Sequence, residues 1–244
     1  MKLDKRHPIG RHLVGCWFPY KDPAMMNIVN NHELSTIGSG ATSVRKLENG
    51  GMRLDNACSI KTNNTQPSIL SDGDYFWFIR FRLRALINVN HTVFGNRLGG
   101  TSSPLQFVKF YEGGFQYYNN ASGPTMAFTR AAETERTVLV VKRNADWKMY
   151  LNGELHATAT AAVSMDPNPI YIGSGDLNAF YENTNIRFYF GMHGPVAPSP
   201  AQVASLFANP EQVLYSSYNQ TFYESTATPP ATDTAKNLLL MGVG

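Results

Sequence analysis

From residue 75 onward the chain alternates. Trp77, Ile79, Phe81 and Leu83 are apolar, and positions 80, 82 and 84 are all arginine. Side chains on a strand point to opposite faces in turn, so this spacing predicts a strand over 75–87 with one buried and one open face. A helix would scatter the three arginines around its circumference. Residues 186–192 repeat the device, with Ile186, Phe188 and Phe190 expected on one face and Arg187 and Tyr189 on the other. Between them, residues 138–142 are apolar on both faces, which predicts a central strand.

Turn chemistry divides the rest of the chain. Asn152-Gly153 tolerates positive φ at both positions and predicts a hairpin joining strands at 147–151 and 155–160. Glu48-Asn49-Gly50-Gly51 predicts another, between 43–47 and 52–54. Further short strands are expected at 13–18, 58–62, 91–94, 105–110, 115–118, 126–129 and 170–172. Residues 1–12 read as a polar leader, and 19–42, rich in Pro, Asn, Gly and Ser, as a long loop. One short helix is expected: Ser199 suits the N-cap and Pro200 the first helical position. Val203, Leu206 and Phe207 form its apolar stripe, and Asn209-Pro210 stops it. More than ten short strands separated by turn signals predict an all-β antiparallel sandwich of jelly-roll type over 13–215.

The chain changes character at about residue 216. Residues 225–235 have linker composition, and Leu238, Leu239, Leu240 and Met241 open an apolar run that ends the sequence. Two expectations stand for this 216–244 arm: an added strand on its own domain, or a tether into a neighbouring subunit.

Composition agrees with a packed β-domain. Of 244 residues 43% are hydrophobic, 12% aromatic and only 16% charged, which argues against disorder. A net charge of +3 with scattered Lys and Arg is no nucleic-acid footprint. No apolar run is long enough to span a bilayer, so no membrane insertion is expected, and the charged first residues lack the apolar core of a secretion signal. The Asn-x-Ser/Thr sequons at Asn63, Asn90, Asn120 and Asn219 are read as chance in that setting. Cys16 and Cys58 lie in apolar, strand-like surroundings and read as small buried hydrophobes rather than a disulfide.

The sequence carries no recognisable catalytic spacing. Glycoside hydrolysis needs two carboxylates flanking the scissile bond. The nearest pair is Glu133 and Glu135, in a loop-like segment beside Arg130 and Arg136. No nucleophile elbow, His-Glu-x-x-His motif or phosphate-binding glycine loop occurs. The six histidines are dispersed; the fold could bring His91 and His193 together, but a lone strand histidine is more often structural. No enzyme activity and no cofactor are expected. Calcium is the one alternative, at Asp176 and Asn178 with Asp166, residue types that equally form turns.

Two surfaces are candidates for binding. Tyr111, Tyr117, Tyr118, Asn119 and Asn120, around Gly113-Gly114, would pair aromatic rings with amides as a sugar platform requires. Tyr181-Glu182-Asn183 is a smaller set of the same kind. Arg80, Arg82 and Arg84, with Arg187 if its strand is adjacent, would clamp carboxylates of a partner protein or an acidic glycan; the plainer reading is a solvated face with intramolecular acidic partners.

The order of several motifs resembles laminin-G-like, concanavalin A-type lectin domains. They are Leu13-Val14-Gly15-Cys16-Trp17, the strand from Tyr75, Met149-Tyr150-Leu151-Asn152-Gly153-Glu154-Leu155, Ile170-Tyr171-Ile172-Gly173, and the run from Pro198 to Asn209-Pro210. Two places depart from the pattern: Arg136-Thr137 stands where a tryptophan is usual, and Met192-His193-Gly194 where an acidic residue is usual. With Glu211-Gln212-Val213-Leu214-Tyr215 and the apolar C-terminal run, the chain is similar to proteins of tailed bacteriophages that decorate capsids, form head fibres or act as tail adhesins. The resemblance implies a concanavalin A-like jelly roll. It also implies a non-enzymatic virion structural protein that assembles as a homo-oligomer, a trimer being preferred, with other virion proteins as partners. The alternative it implies is a carbohydrate-binding host-adhesion module acting on a surface glycan, and the third a divergent glycoside hydrolase.

Overall fold

The strand from Tyr75 stands at the centre of one sheet. In the computed structural model, which describes residues 2–19, 28–29, 34–37, 44–46, 51–55, 59–84, 92–96, 106–111, 113–119, 123–129, 131–173 and 185–215, residues 75–83 form one nine-residue strand with hydrogen-bonded neighbours on both sides. In chain order the elements are β1 (Lys2–Leu3), β2 (Gly15–Trp17), β3 (Leu34–Ile37), β4 (Val44–Lys46), β5 (Met52–Asp55), β6 (Ser59–Gln66), β7 (Tyr75–Leu83), β8 (Thr92–Gly95) and β9 (Gln106–Tyr111). They continue with β10 (Gly114–Asn119), β11 (Thr125–Ala127), β12 (Glu135–Arg143), β13 (Asp146–Leu151), β14 (Glu154–Thr160), β15 (Asn168–Ile172), β16 (Asn185–Gly194), helix α1 (Pro200–Ala208) and β17 (Leu214–Tyr215).

Two antiparallel sheets face each other. One runs β11-β10-β9-β8-β15-β6-β3; the other runs β14-β13-β12-β7-β16-β5-β4, with β2 added beside the far end of β16. Alternation supplies the core between them. Trp77, Ile79, Phe81 and Leu83 of β7 meet Phe94, Phe110 and Phe115 of the facing sheet, and the Trp77 and Trp147 indoles stack 6.2 Å apart. Asn152 and Gly153 adopt φ of 52° and 100° between β13 and β14, the turn their residue types predict.

The outer face of the second sheet is only half open. Phe76 and Phe78, which alternation assigns to solvent, are buried in a second apolar cluster with Leu139, Val141, Leu13 and Phe18, beneath α1. Phe207 packs edge-on against Phe78, with ring centroids 5.0 Å apart. The helix is held as its sequence predicts: the Ser199 hydroxyl accepts from the Gln202 amide, and the Gln202 side chain accepts from the Ser199 amide. The open face therefore begins at Arg80, not at the start of the strand.

Three expectations change here. The segment 1–12, read as a leader, carries β1, which pairs with β17, and buries Leu3 and Ile9. The segment 19–42, read as a loop, contributes β3, which pairs with β6. In β16 the ladder to β7 shifts between Phe188 and Phe190, so Phe188 joins the inter-sheet core while Phe190 joins the outer cluster. One extra residue inverts the alternation beyond it. The C-terminal arm, 216–244, lies outside the described residues, as do His91 and Cys58.

Candidate functional site

The β9–β10 hairpin presents the aromatic surface. Gly114, at φ 151°, lies where an added Cβ would strike the Met126 carbonyl of β11, so the tight pairing of these strands requires glycine. Within the hairpin, Val108, Phe110, Phe115 and Tyr117 enter the core. Phe107, Lys109, Tyr111, Gln116 and Tyr118 point the other way and are half-buried. Phe107 and Tyr118 are cross-strand partners whose rings stack 5.0 Å apart and 8° from parallel. Lys109 and Gln116 form the next outward pair, and Tyr111 stands beyond them, opposite Gly114. At about 3.4 Å per residue, roughly 14 Å separates the Phe107–Tyr118 stack from Tyr111.

This placement sorts the expected sugar residues. Tyr111 and Tyr118 lie on the outward face. Tyr117 does not: it is 1% exposed, its ring centroid lies 4.8 Å from that of Trp147, and burial, with Asp166 as a smaller cause, pushes its phenol far up. The period of two carries this, because Tyr117 shares a face with Phe115 and Tyr118 does not. Asn119 turns aside to donate to the Ser164 carbonyl at 2.6 Å. Asn120 and the Tyr181-Glu182-Asn183 set lie outside the described residues. Phe107, Lys109 and Gln116, absent from the sequence-derived set, belong to the surface because strand pairing brings them beside Tyr118.

The arginines form a second surface on the outer face of the other sheet. Arg187 of β16 is in register with Arg82 on one side and Arg53 on the other, and Arg53 is in register with Arg45 of β4. Their inward neighbours Leu54, Ile186, Phe188 and Phe81 fill the core, which places Arg53, Arg187 and Arg82 on the outward side. Glu133 and Glu135 serve this face. Glu135 accepts from Arg80, whose Nε lies 2.6 Å away, and Glu133 pairs with Arg82 at 2.5 Å. The Arg80 guanidinium also lies 5.6 Å from the centre of the Tyr189 ring. Arg84 is half-buried just past the end of β7.

Three buried side chains lie apart from both surfaces: Lys142, Cys16 and His193. Lys142 is fully buried, and its ammonium lies within hydrogen-bond distance of the carbonyls of Leu70 at 2.9 Å, Ser71 at 3.0 Å, Gly73 at 2.6 Å and Asn144 at 2.6 Å, which share its three donors. Burial pulls it below the usual lysine value, against the opposing charges of Asp74 and Asp72. Cys16 is a buried thiol whose ionisation burial pushes far up. His193 is enclosed between Trp17, Tyr75 and Phe94, and burial pulls it down to about 3. Asp176 and Asn178 lie outside the described residues, and among the described residues no group of three or more His, Cys, Asp or Glu side chains is placed to hold a metal ion. Among those residues no helix is long and apolar enough to cross a membrane.

No protein-family model matches this chain, and no curated protein matches it by sequence. Solved structures share its fold. Trypanosoma rangeli sialidase superposes with a TM-score of 0.59 at 11% identity, over 86% of this chain and 36% of that one. The binding domain of Paraclostridial Mosquitocidal Protein 1 gives 0.61 at 12% identity, over 83% and 53%. Domain 4 of AbnA, a GH43 extracellular arabinanase from Geobacillus stearothermophilus solved in complex with arabinotriose, gives 0.59 at 13% identity, over 80% and 98%. The chain thus spans about a third of the sialidase and about half of the mosquitocidal chain. The fold is a sandwich of two antiparallel sheets, a distant structural match to concanavalin A-like, laminin-G-like domains.

Proposed function

We propose that this chain is a non-catalytic carbohydrate-binding module that receives a glycan along the outward face of β9 and β10. The observation that carries the reading is the outward, half-buried Phe107–Tyr118 stack, followed along the same face by Lys109, Gln116 and Tyr111. A pyranose or furanose ring has an apolar C–H face and a polar hydroxyl rim. The aromatic pair offers the first its partner, and the amide and ammonium offer the second donors and an acceptor. One ring contact and a few solvent-exposed hydrogen bonds amount to a few kcal/mol, which corresponds to a dissociation constant of about a millimolar for a short oligosaccharide. The fold shared with a domain solved with arabinotriose supports the choice of ligand class. Glu133 and Glu135 support a non-catalytic reading, since each pairs with an arginine.

Titration with a panel of neutral oligosaccharides, arabinans and glucans included, tests it. Binding that Tyr118→Ala and Gln116→Ala abolish is expected; no binding at millimolar sugar overturns it.

The second reading is a phage virion structural protein that assembles with copies of itself and other virion proteins. It is favoured by the Thr/Pro-rich stretch 225–235 followed by the apolar run from Leu238 to Met241. Deleting residues 225–244 and measuring mass by light scattering tests it: unchanged assembly sinks the tether.

A further inference from the structure

The arginine face departs from what a sheet needs for stability. Arg45, Arg53, Arg187 and Arg82 occupy one register line across β4, β5, β16 and β7. At about 4.8 Å between neighbouring strands, this line of cationic residues extends roughly 14 Å. Like charges directly opposite one another in a ladder destabilise it. Glu133 and Glu135 answer the charge only at the β7 side of the line, on Arg82 and Arg80. Arg187, in the middle, has no carboxylate partner among the described residues, and its Nε is buried without a hydrogen-bond acceptor. The Nε of Arg82 is in the same condition. Yet the face is not sealed, since the Arg80 and Arg82 side chains are 42% and 32% exposed. The guanidinium forks of Arg187 and Arg82, adjacent across the ladder on a half-open sheet face, suit a ligand that repeats an oxyanion along a line.

We infer that the line through Arg53, Arg187 and Arg82 is a binding site for a linear polysaccharide bearing carboxylate or sulfate groups. Tyr189, half-buried beside the line, supplies an aromatic surface that a sugar ring uses and an acidic peptide does not. The two glutamates confine the positive strip to a few residues, and the whole chain carries only +3, which favours a short saccharide run over a nucleic-acid backbone. The site lies on the sheet opposite the β9–β10 surface and does not rest on the reading given to it.

The test titrates the full chain with oligogalacturonate and dextran sulfate, with neutral dextran, polyglutamate and single-stranded DNA as competitors of other kinds. Binding by oligogalacturonate alone assigns carboxylate, by dextran sulfate alone sulfate, and by both either anion. The affinity should fall as salt rises. Arg187→Gln should weaken it about tenfold. Lys148→Gln, which removes the same charge from an exposed position on the same sheet, should change it by less than about twofold. Arg187→Lys keeps the charge without the fork and should fall between them, which keeps the test alive if Arg187→Gln fails to fold. The proposal is overturned if neither anionic polysaccharide binds, if polyglutamate or DNA binds as tightly, or if folded Arg187→Gln and Arg187→Lys both bind like the parent.

Discussion

The Tyr75 hydroxyl and Nδ1 of His193 lie 2.6 Å apart in the core between the sheets, joined across 118 positions of sequence. Both rings are stacked among other aromatics, and His193 is fully buried with no partner for Nε2 among the described residues. Its imidazole is therefore held neutral down to about 3, against an ordinary value of 6.5.

That difference sets a pH dependence. The unfolded chain takes up a proton on this histidine below about pH 6.5, and the folded protein does not until about 3. The stabilisation is complete above 6.5 and is lost progressively as pH falls toward 3. Thermal unfolding followed between pH 7 and 4 should show a falling Tm. Tyr75→Phe, which leaves Nδ1 without its partner, should lower stability by about 1–3 kcal/mol at neutral pH. A flat Tm across that range would sink the assignment.

Lys142 acts as an internal clamp. Its ammonium gathers carbonyls from residues 70, 71 and 73 and from residue 144, tying the turn before β7 to the β12–β13 hairpin. Lys142→Met keeps the apolar stem and removes the donors. Urea unfolding should show a loss of about 2–4 kcal/mol, and amide hydrogen exchange at residues 70–74 should accelerate. A loss below about 0.5 kcal/mol would place the ammonium among ordinary surface groups.

The two adjacent tyrosines of β10 should separate cleanly. Tyr117→Ala empties a core position against Trp147 and should cost about 3–5 kcal/mol. Tyr118→Ala removes half of an outward stack and should leave Tm within a few degrees while oligosaccharide binding is lost. Calorimetry with a binding titration on both variants decides between this and a surface role for Tyr117.

The cap of α1 tests the second apolar cluster. Ser199→Ala removes the acceptor for the Gln202 amide and should cost about 1 kcal/mol. Phe78→Ala, beneath Phe207, should cost about 3–5 kcal/mol. If Phe78 stood on an open face, as alternation alone implies, its truncation would change stability by less than about 0.5 kcal/mol.

Short-range patterns determined a great deal. The alternation of Trp77, Ile79, Phe81 and Leu83, the Asn152-Gly153 turn and the Ser199 cap are legible because each depends on residues within one strand, one turn or one helical end. These suffice for an antiparallel sandwich with one helix. Tertiary structure alone decided the rest. The short strands β1 and β3 exist because distant strands offer them backbone partners, and nothing in Lys2–Leu3 or Leu34–Ile37 carries a strand period of its own. Phe76 and Phe78 are buried because α1 and residues 9–18 return over them. Of the binding candidates, the sequence marked Tyr111, Tyr118, Arg80, Arg82 and Arg187. It did not mark Phe107, Lys109, Gln116 or Arg53, which become neighbours only through cross-strand register. A chain spells out which side of a strand a residue takes, except where a bulge such as that before Phe190 resets the count. Which residue stands beside it is written in the pairing of segments far apart, and that is settled by the packing of the whole domain.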